Sequence, residues 1–293
     1  MDSIHCCDNL PWLAQLDSGS VHLAYIDPPF NTGKTQTLRR LKTTADDQGD
    51  RIGFGGRKYR TDLVGSSSYE DHFDDFLGFL MPRIDEIWRV LRADGSLFVH
   101  LDAREVHYVK VALDQRFGRS RFINEIIWSY DFGGRPKDRW PNKHDTILWY
   151  AKDPAHYTFN YDEIDRIPYM APGLVGAEKA ERGKTPTDVW WNTIVPTNGA
   201  ERTGYPTQKP LSILNRIVRV HSMPGDTVLD CFAGSGTTGE AAACNGRRFL
   251  LCDISAEACQ VAAARLADVR PALVGFEAVQ GAVAAGVPLP LPF

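Results

Sequence analysis

The feature that most constrains this chain is the position of its glycine loop. Residues 228–239 read V-L-D-C-F-A-G-S-G-T-T-G, with Gly234 and Gly236 between an apolar run and a helix-like stretch. Glycines at such a turn let the backbone approach a ligand closely, and the N-terminus of the following helix offers unsatisfied N–H groups. The string contains G-x-G-x-x-G at Gly234, Gly236 and Gly239, which a dinucleotide-binding fold would share. A complete doubly wound sheet does not fit behind it, because there is room for only two helices and about one strand before an Ala-, Val- and Pro-rich tail. The rest of the sheet has to come from the N-terminal half. Such a circularly permuted order is used by few nucleotide-binding families.

The front half supplies the missing pieces. Apolar runs rich in β-formers at 3–7 and 21–26 flank a helix-like stretch at 10–16, a β-α-β start. Phe73, Phe76, Leu77, Leu80, Ile84, Ile87, Trp88 and Leu91 recur at helical intervals, and an A-D-G turn at 93–95 leads into the strand-like S-L-F-V-H-L of 96–101. An amphipathic helix is expected over 105–117, then strands over 124–128 and 146–151. Further on, a helix over 210–221, a strand over 227–229, the glycine loop with its helix, a strand over 248–252 and a helix over 256–266 restore the alternation. Two segments interrupt it. Residues 33–68 are long, polar and basic, and read as a mobile loop. Residues 131–203 lack a steady period and read as an inserted lobe, with Trp190, Trp191 and Tyr205 in its core.

Composition sets wide bounds. With 293 residues, 43% hydrophobic and 24% charged, the chain can bury a sizeable core. A formal charge of -4 means that any contact with nucleic acid relies on local basic patches. The six cysteines form no C-x-x-C pair and no His stands at zinc-finger spacing, so reduced thiols and no metal site are expected. The N-terminus is not leader-like and no apolar run of about 18 residues occurs, which points to a cytoplasmic chain without membrane contact.

Acids stand at strand ends. Asp230 closes the strand before the glycine loop, and Asp253 closes the next in F-L-L-C-D, where an acid can accept hydrogen bonds from a ribose. The plainer alternative is that Asp253 caps the helix behind it. Residues 21–30, V-H-L-A-Y-I-D-P-P-F, end a strand in a carboxylate, two prolines and a ring. The double proline stops the strand and sets the directions of its carbonyls. D-P-P by itself is often only a stiff strand exit, but here it accompanies the glycine loop.

The two motifs in this order resemble the amino-methylating DNA methyltransferases of the permuted β class, in which D-P-P-[YF] precedes a target-recognition region and then F-x-G-x-G. I-H-C-C-D at 4–8 and P-T-Q-K-P-L at 206–211 extend the resemblance over nearly the whole chain. It implies an α/β, circularly permuted Rossmann-like methyltransferase fold with an inserted target-recognition lobe. Residues 1–130 would be the catalytic part, 131–203 the recognition insertion, 204–270 the cofactor-binding part and 271–293 a tail. The implied cofactor is S-adenosyl-L-methionine. Phe232, Gly234, Gly236 and Thr237 would line its methionine end, with Asp230 in the same loop, Asp253 at the ribose, Asp8 at the adenine and Lys209, ahead of Pro210, beside it. The family usually carries Gly-Asp where this chain has Cys7-Asp8, and Lys209-Pro210 read alone is a helix start with an exposed lysine.

By the same resemblance Asp27, Pro28, Pro29 and Phe30 are catalytic. The amino nitrogen of a base is a poor nucleophile because its lone pair is delocalised into the ring. Asp27 and the Pro28 carbonyl would each accept one amino hydrogen, freeing that lone pair, while Phe30 stacks a base flipped out of double-stranded DNA. D-P-P-[YF] is more frequent in adenine-N6 enzymes and S-P-P-[YF] in cytosine-N4 enzymes, so the reading leans to adenine, with cytosine N4 as the alternative. Carbon-5 methylation needs a cysteine nucleophile in a Pro-Cys pair, which the sequence lacks.

Residues 131–145, D-F-G-G-R-P-K-D-R-W-P-N-K-H-D, interleave Arg135, Lys137, Arg139 and Lys143 with Phe132 and Trp140. That suits phosphate contact and guanine readout, the alternative being a solvated irregular loop. His100, ending a strand near the catalytic loop, reads as a wall of the base pocket or a structural histidine rather than a general base. Methyltransferases of RNA or of glutamine also use [ND]-P-P-[YF] but usually place the cofactor loop first. A DNA-binding protein without catalysis is opposed by the intact Asp27 and glycine loop, and a dinucleotide sensor is separated by titration with NAD. A homodimer and a cognate restriction endonuclease are partners of the kind such an enzyme takes in restriction–modification.

Overall fold

The computed structural model describes residues 1–31, 34–45, 48, 51–52, 58–71, 73–196 and 199–276. Among these, Met1–Phe30 and the residues from Asp75 onward make one compact unit, and Asn31–Asp74 make a second. The first unit opens with β1 (Ser3–Cys6), α1 (Asn9–Leu13) and β2 (Val21–Ile26). The second unit consists of β3 (Lys34–Ala45), β4 (Arg51–Ile52) and β5 (Lys58–Asp71). The first then resumes with α2 (Phe76–Val90), β6 (Leu91–Leu101), α3 (Val106–Phe117), β7 (Phe122–Ser129), β8 (His144–Ala151), α4 (Ala177–Arg182) and β9 (Val189–Trp191). It closes with α5 (Leu211–His221), β10 (Thr227–Asp230), α6 (Thr237–Cys244), β11 (Arg248–Asp253), α7 (Ala256–Arg265) and β12 (Ala272–Val274).

Nine strands form one sheet in the order β12-β1-β11-β10-β2-β6-β8-β7-β9. From β12 to β6 neighbours run parallel, β8 is antiparallel to β6 and β7, and β9 pairs β7 in parallel. Strands β11 and β10, late in the chain, lie between β1 and β2 from its start. This is the permuted Rossmann-like arrangement. Leu23, Ala24, Tyr25 and Ile26 of β2 and Leu97 to Leu101 of β6 are buried residue after residue. Continuous apolar runs of this kind belong to parallel strands covered on both faces.

The helices follow their apolar spacing. Phe76, Leu80, Ile84 and Ile87 put one buried stripe on α2, which starts at Phe76 rather than Phe73 because Asp75 caps it, accepting from the Gly78 N–H at 2.8 Å. Ile213, Leu214, Ile217 and Val218 of α5 join Leu23, Tyr25, Phe98 and Val228 in the central apolar cluster.

Three expectations differ from what forms. The basic stretch expected as a loop is a three-stranded antiparallel sheet, β3-β5-β4, paired from Lys34 with Asp71 to Ala45 with Tyr59. The threonines at 35, 37, 43 and 44, β-branched and strand-favouring, carry the signal that polarity obscured. Gly33, at its start, lies outside the described residues. The segment 131–203 contributes β8 and β9 to the main sheet instead of standing apart. The run I-L-W-Y-A ends β8, whose residues from Asp145 to Ala151 are all buried, so this strand belongs inside the sheet and not to a surface lobe. In the tail, Ala272–Val274 pairs with β1, and the Ala272 N–H donates to the Asp2 carbonyl at 2.9 Å; residues 277–293 lie outside the described residues. Among the described residues no helix is long and apolar enough to cross a membrane. All six cysteines are free, with Cys231, Cys252 and Cys259 buried.

Candidate active site

Four adjacent parallel strands, β1, β11, β10 and β2, deliver Asp8, Asp253, the glycine loop and Asp27 at or just beyond their C-terminal ends, where ligands of open α/β sheets bind. The glycine loop is braced from beneath by Asp230. This buried carboxylate accepts from the Phe232 N–H at 3.0 Å and from the Thr238 hydroxyl at 2.6 Å. Both oxygens are therefore engaged within the loop, so Asp230, expected among the cofactor contacts, shapes the loop from inside. Burial pushes its carboxyl up to about 7, helped by the charges of Asp27 and Asp253.

Asp253 holds the loop from the neighbouring strand. It accepts from the Gly234 N–H and from the Ser255 N–H, each at 2.8 Å. The Cys7 N–H reaches the Asp253 carbonyl at 3.1 Å and ties in the exit of β1. Burial raises the Asp253 carboxyl as well.

The glycines have different neighbours. Gly234 has φ +50°, and a Cβ there would lie 3.3 Å from the Tyr205 ring. Gly236 has φ +76°, and its Cβ would lie 2.8 Å from Cβ of Ala262, so this glycine, expected to admit a ligand, admits α7 instead. Thr237, the first residue of α6, is buried, and its hydroxyl sits 2.8 Å from Nη1 of Arg265 and 3.3 Å from the Lys209 carbonyl.

On the other side of the loop Asp8 caps α1 through the Leu10 N–H at 2.9 Å and meets Nη2 of Arg83 at 3.2 Å. The Arg83 guanidinium stacks 3.9 Å from the centre of the Phe79 ring, and Phe79 lies 6.2 Å from Phe232. Sequence reasoning missed Phe79 and Arg83. Their spacing of four on α2 is the signal that places both on one helix face.

At the end of β2, Asp27 precedes buried Pro28 and half-buried Pro29 and Phe30. Oδ2 of Asp27 forms an ion pair with the Lys209 ammonium, while Oδ1 is buried with no hydrogen-bond partner among the described residues. The same ammonium lies 4.9 Å from the centre of the Phe30 ring. Lys209, expected beside the cofactor, thus turns its side chain to the D-P-P-F loop and only its carbonyl to the glycine loop.

Beneath Phe30, 6.0 Å between ring centres, is the fully buried His100. The Tyr25 hydroxyl lies 2.6 Å from its Nδ1, and Nε2 lies 3.1 Å from Oδ2 of Asp145, whose Oδ1 accepts from the Tyr130 hydroxyl at 3.1 Å. Burial works to raise the Asp145 carboxyl, but His100, Lys209 and Tyr130 together hold it below the usual carboxylate range. Both ring nitrogens of His100 are occupied, and its ring backs that of Phe30. Asp145, Tyr130 and Tyr25 were not singled out in the sequence.

The basic stretch is exposed and largely self-paired. Arg135 meets Asp131 at 2.6 Å and Arg139 meets Asp138 at 2.8 Å, both in solvent, while Lys137 is exposed. Lys143 differs from expectation, because its ammonium donates to the carbonyls of Phe132, Gly133 and Gly134 and closes the loop. Trp140 is 93% exposed. Trp191, expected in a core, is 75% exposed because alternation along β9 sends Trp190 inward and its neighbours out.

Comparison with known proteins agrees with this arrangement. The family model described as DNA methylase, covering N6 and N4 methyltransferases, matches residues 21–264. The chain is 30% identical over 274 residues to the DNA adenine methyltransferase YhdJ of Escherichia coli (strain K12), covering 88% of this chain and 80% of that protein. Its fold is similar to the crystal structure of the M1.HpyAVI–SAM complex, with TM-score 0.58 and 21% identity over 91% of this chain and 99% of that one. It is also similar to the PvuII DNA methyltransferase, which is cytosine-N4-specific, with TM-score 0.63 and 15% identity over 96% of this chain and 91% of that one. The chain belongs to the N6/N4 DNA methylase family, S-adenosylmethionine-dependent enzymes that methylate DNA.

Proposed function

We propose that this enzyme methylates the N6 amino group of adenine, taken out of the duplex and held at Asp27, Pro28 and Phe30. The observation that carries the reading is Oδ1 of Asp27, a buried acceptor at the end of β2 with no partner among the described residues. An isolated buried carboxylate oxygen is costly, and an amino hydrogen of the base satisfies it. The Pro28 carbonyl takes the second hydrogen, so that the nitrogen lone pair is no longer delocalised into the ring. Phe30, backed by His100, offers its face for stacking.

The residues present fit S-adenosylmethionine. Asp253 and Asp8 stand at the exits of β11 and β1 for the ribose and adenine, Phe232 and Phe79 add apolar surface, and nearby acids suit a cationic sulfonium. When bound, the cofactor supplies a methyl group activated on positively charged sulfur. The protein's part is to hold the amine in line and to exclude water. The D-P-P-F form and the kinship with an adenine methyltransferase favour adenine over cytosine. Arg135, Lys137 and Arg139, beside exposed Trp140, offer a surface for DNA recognition. Sequencing that distinguishes N6-methyladenine from N4-methylcytosine, applied to DNA from cells expressing the protein, tests the reading. Methyladenine at one sequence context is expected, and N4-methylcytosine alone would replace adenine by cytosine.

A further inference from the structure

We propose that Lys209 is a positioning residue for methyl transfer: its ammonium clamps Oδ2 of Asp27, balances the carboxylate's charge and leaves Oδ1 aimed at the base. This rests on the reading that Asp27 accepts an amino hydrogen. Motif comparison assigns this lysine to the cofactor, but its side chain lies on the catalytic loop. It pairs with Asp27 across 182 residues of sequence and sits 4.9 Å from the centre of Phe30. A carboxylate on a single Cα–Cβ–Cγ arm can rotate, and a charge held on one oxygen fixes which way the other faces.

The surroundings make a cation necessary. Asp27 is mostly buried, with its side chain 17% exposed. Among the described residues Lys209 is its ion-pair partner, and acidic and neutral groups stand close by. Asp230 on β10 and Tyr25 on β2 both feel its negative charge, and the His100–Asp145 pair on β6 and β8 lies behind Phe30. An ammonium beside a buried carboxylate favours its charged, accepting form, whereas a neutral carboxyl would present a donor to the amino hydrogen. The Lys209 backbone carbonyl, which receives the Thr237 hydroxyl, is untouched by a side-chain change.

The test compares Lys209→Met, Lys209→Gln and Lys209→Arg in the whole enzyme, with kcat on saturating DNA measured across pH and S-adenosylmethionine titrated calorimetrically. Both neutral variants are expected to move the acidic limb of the kcat profile up by about one to three pH units, the range over which a neighbouring charge shifts a carboxylate. Cofactor affinity should be retained, and Arg should restore the parent limb. Gln keeps a hydrogen-bond donor without charge and serves if Met does not fold. A parent-like limb in Gln, or a loss confined to cofactor affinity, overturns the proposal. Asp27→Asn separates the two ideas: if it remains active the reading of Asp27 fails, whereas an inactive Asp27→Asn with an unshifted Lys209→Gln sinks the lysine's role alone.

Discussion

Thr238 donates its hydroxyl to Asp230 at 2.6 Å in a site where the carboxylate is almost fully buried. Burial outweighs that hydrogen bond, which favours the charged form, so between pH 3.8 and about 7 the folded protein holds at this acid a proton that the unfolded chain releases. Stability contributed by that proton is present below the ordinary value of 3.8 and is lost as pH rises to about 7. Asp230→Asn keeps an acceptor for the Phe232 N–H and an amide facing the Thr238 oxygen. Relative to the parent, the variant should gain stability across this window by up to about 1.4 kcal/mol per pH unit and stay level above it. Urea midpoints of the cofactor-free proteins between pH 4.5 and 8 read the difference, and parallel curves would remove the claim.

Replacing His100 by Leu strands the Tyr25 hydroxyl and Oδ2 of Asp145 in the core. A loss of about 1–3 kcal/mol in unfolding free energy is expected. Denaturation at pH 7.5 measures it, and an unchanged midpoint would show that water replaces the ring.

Gly236→Ala combines a left-handed φ with a Cβ 2.8 Å from Ala262, so the fold should weaken by about 1–3 kcal/mol before any ligand is added. Gly234→Val places a branched side chain against the Tyr205 ring in the mouth of the loop. We expect the cofactor titration to be lost with the protein still folded. Wild-type cofactor affinity in folded Gly234→Val would exclude this glycine from the site.

Asp27→Ala should reduce methyl transfer by at least about 100-fold, the scale for removing one group that holds the reacting centre. S-adenosylmethionine affinity should persist. Calorimetry and single-turnover methylation separate the two, and joint loss would make Asp27 a structural residue.

Arg135 and Arg139 are paired with Asp131 and Asp138 in solvent, and such pairs are weak enough to open to a phosphate or a base. Alanine at either position should weaken DNA binding and leave the cofactor titration unchanged. A phosphate contact lowers the salt slope by about 1, and a guanine contact costs about 1–3 kcal/mol at one base position. Parent-like affinity, preference and salt slope in both variants would move the recognition surface elsewhere.

Much of the main sheet was legible because its signals are local. β2 spans the same residues in sequence and structure, 21–26, since an apolar run ending in two prolines leaves little choice. The convergence of D-P-P-F and the glycine loop followed from their order, once the sheet had to be completed from the front. What stayed hidden is non-local. Asp145 meets His100 across 45 residues and Lys209 meets Asp27 across 182, and no periodicity encodes either pair. β3 and β5 were hidden by their own polarity, and β8, legible as a strand over 146–151, was placed in a lobe because irregular residues stand before and after it.

The place of β1 between β12 and β11 sets a timetable for synthesis. A ribosome delivers Ser3 to Cys6 long before residues 248–253 and 272–274, so this strand has neither of its neighbours until those residues have been made. β2 likewise lacks β10 on one edge until residue 227 has emerged. An open strand edge is an aggregation hazard, and this one lasts until the late strands arrive. The catalytic loop behind β2 and the cofactor loop behind β10 therefore cannot stand side by side before residues 227–230 have been made.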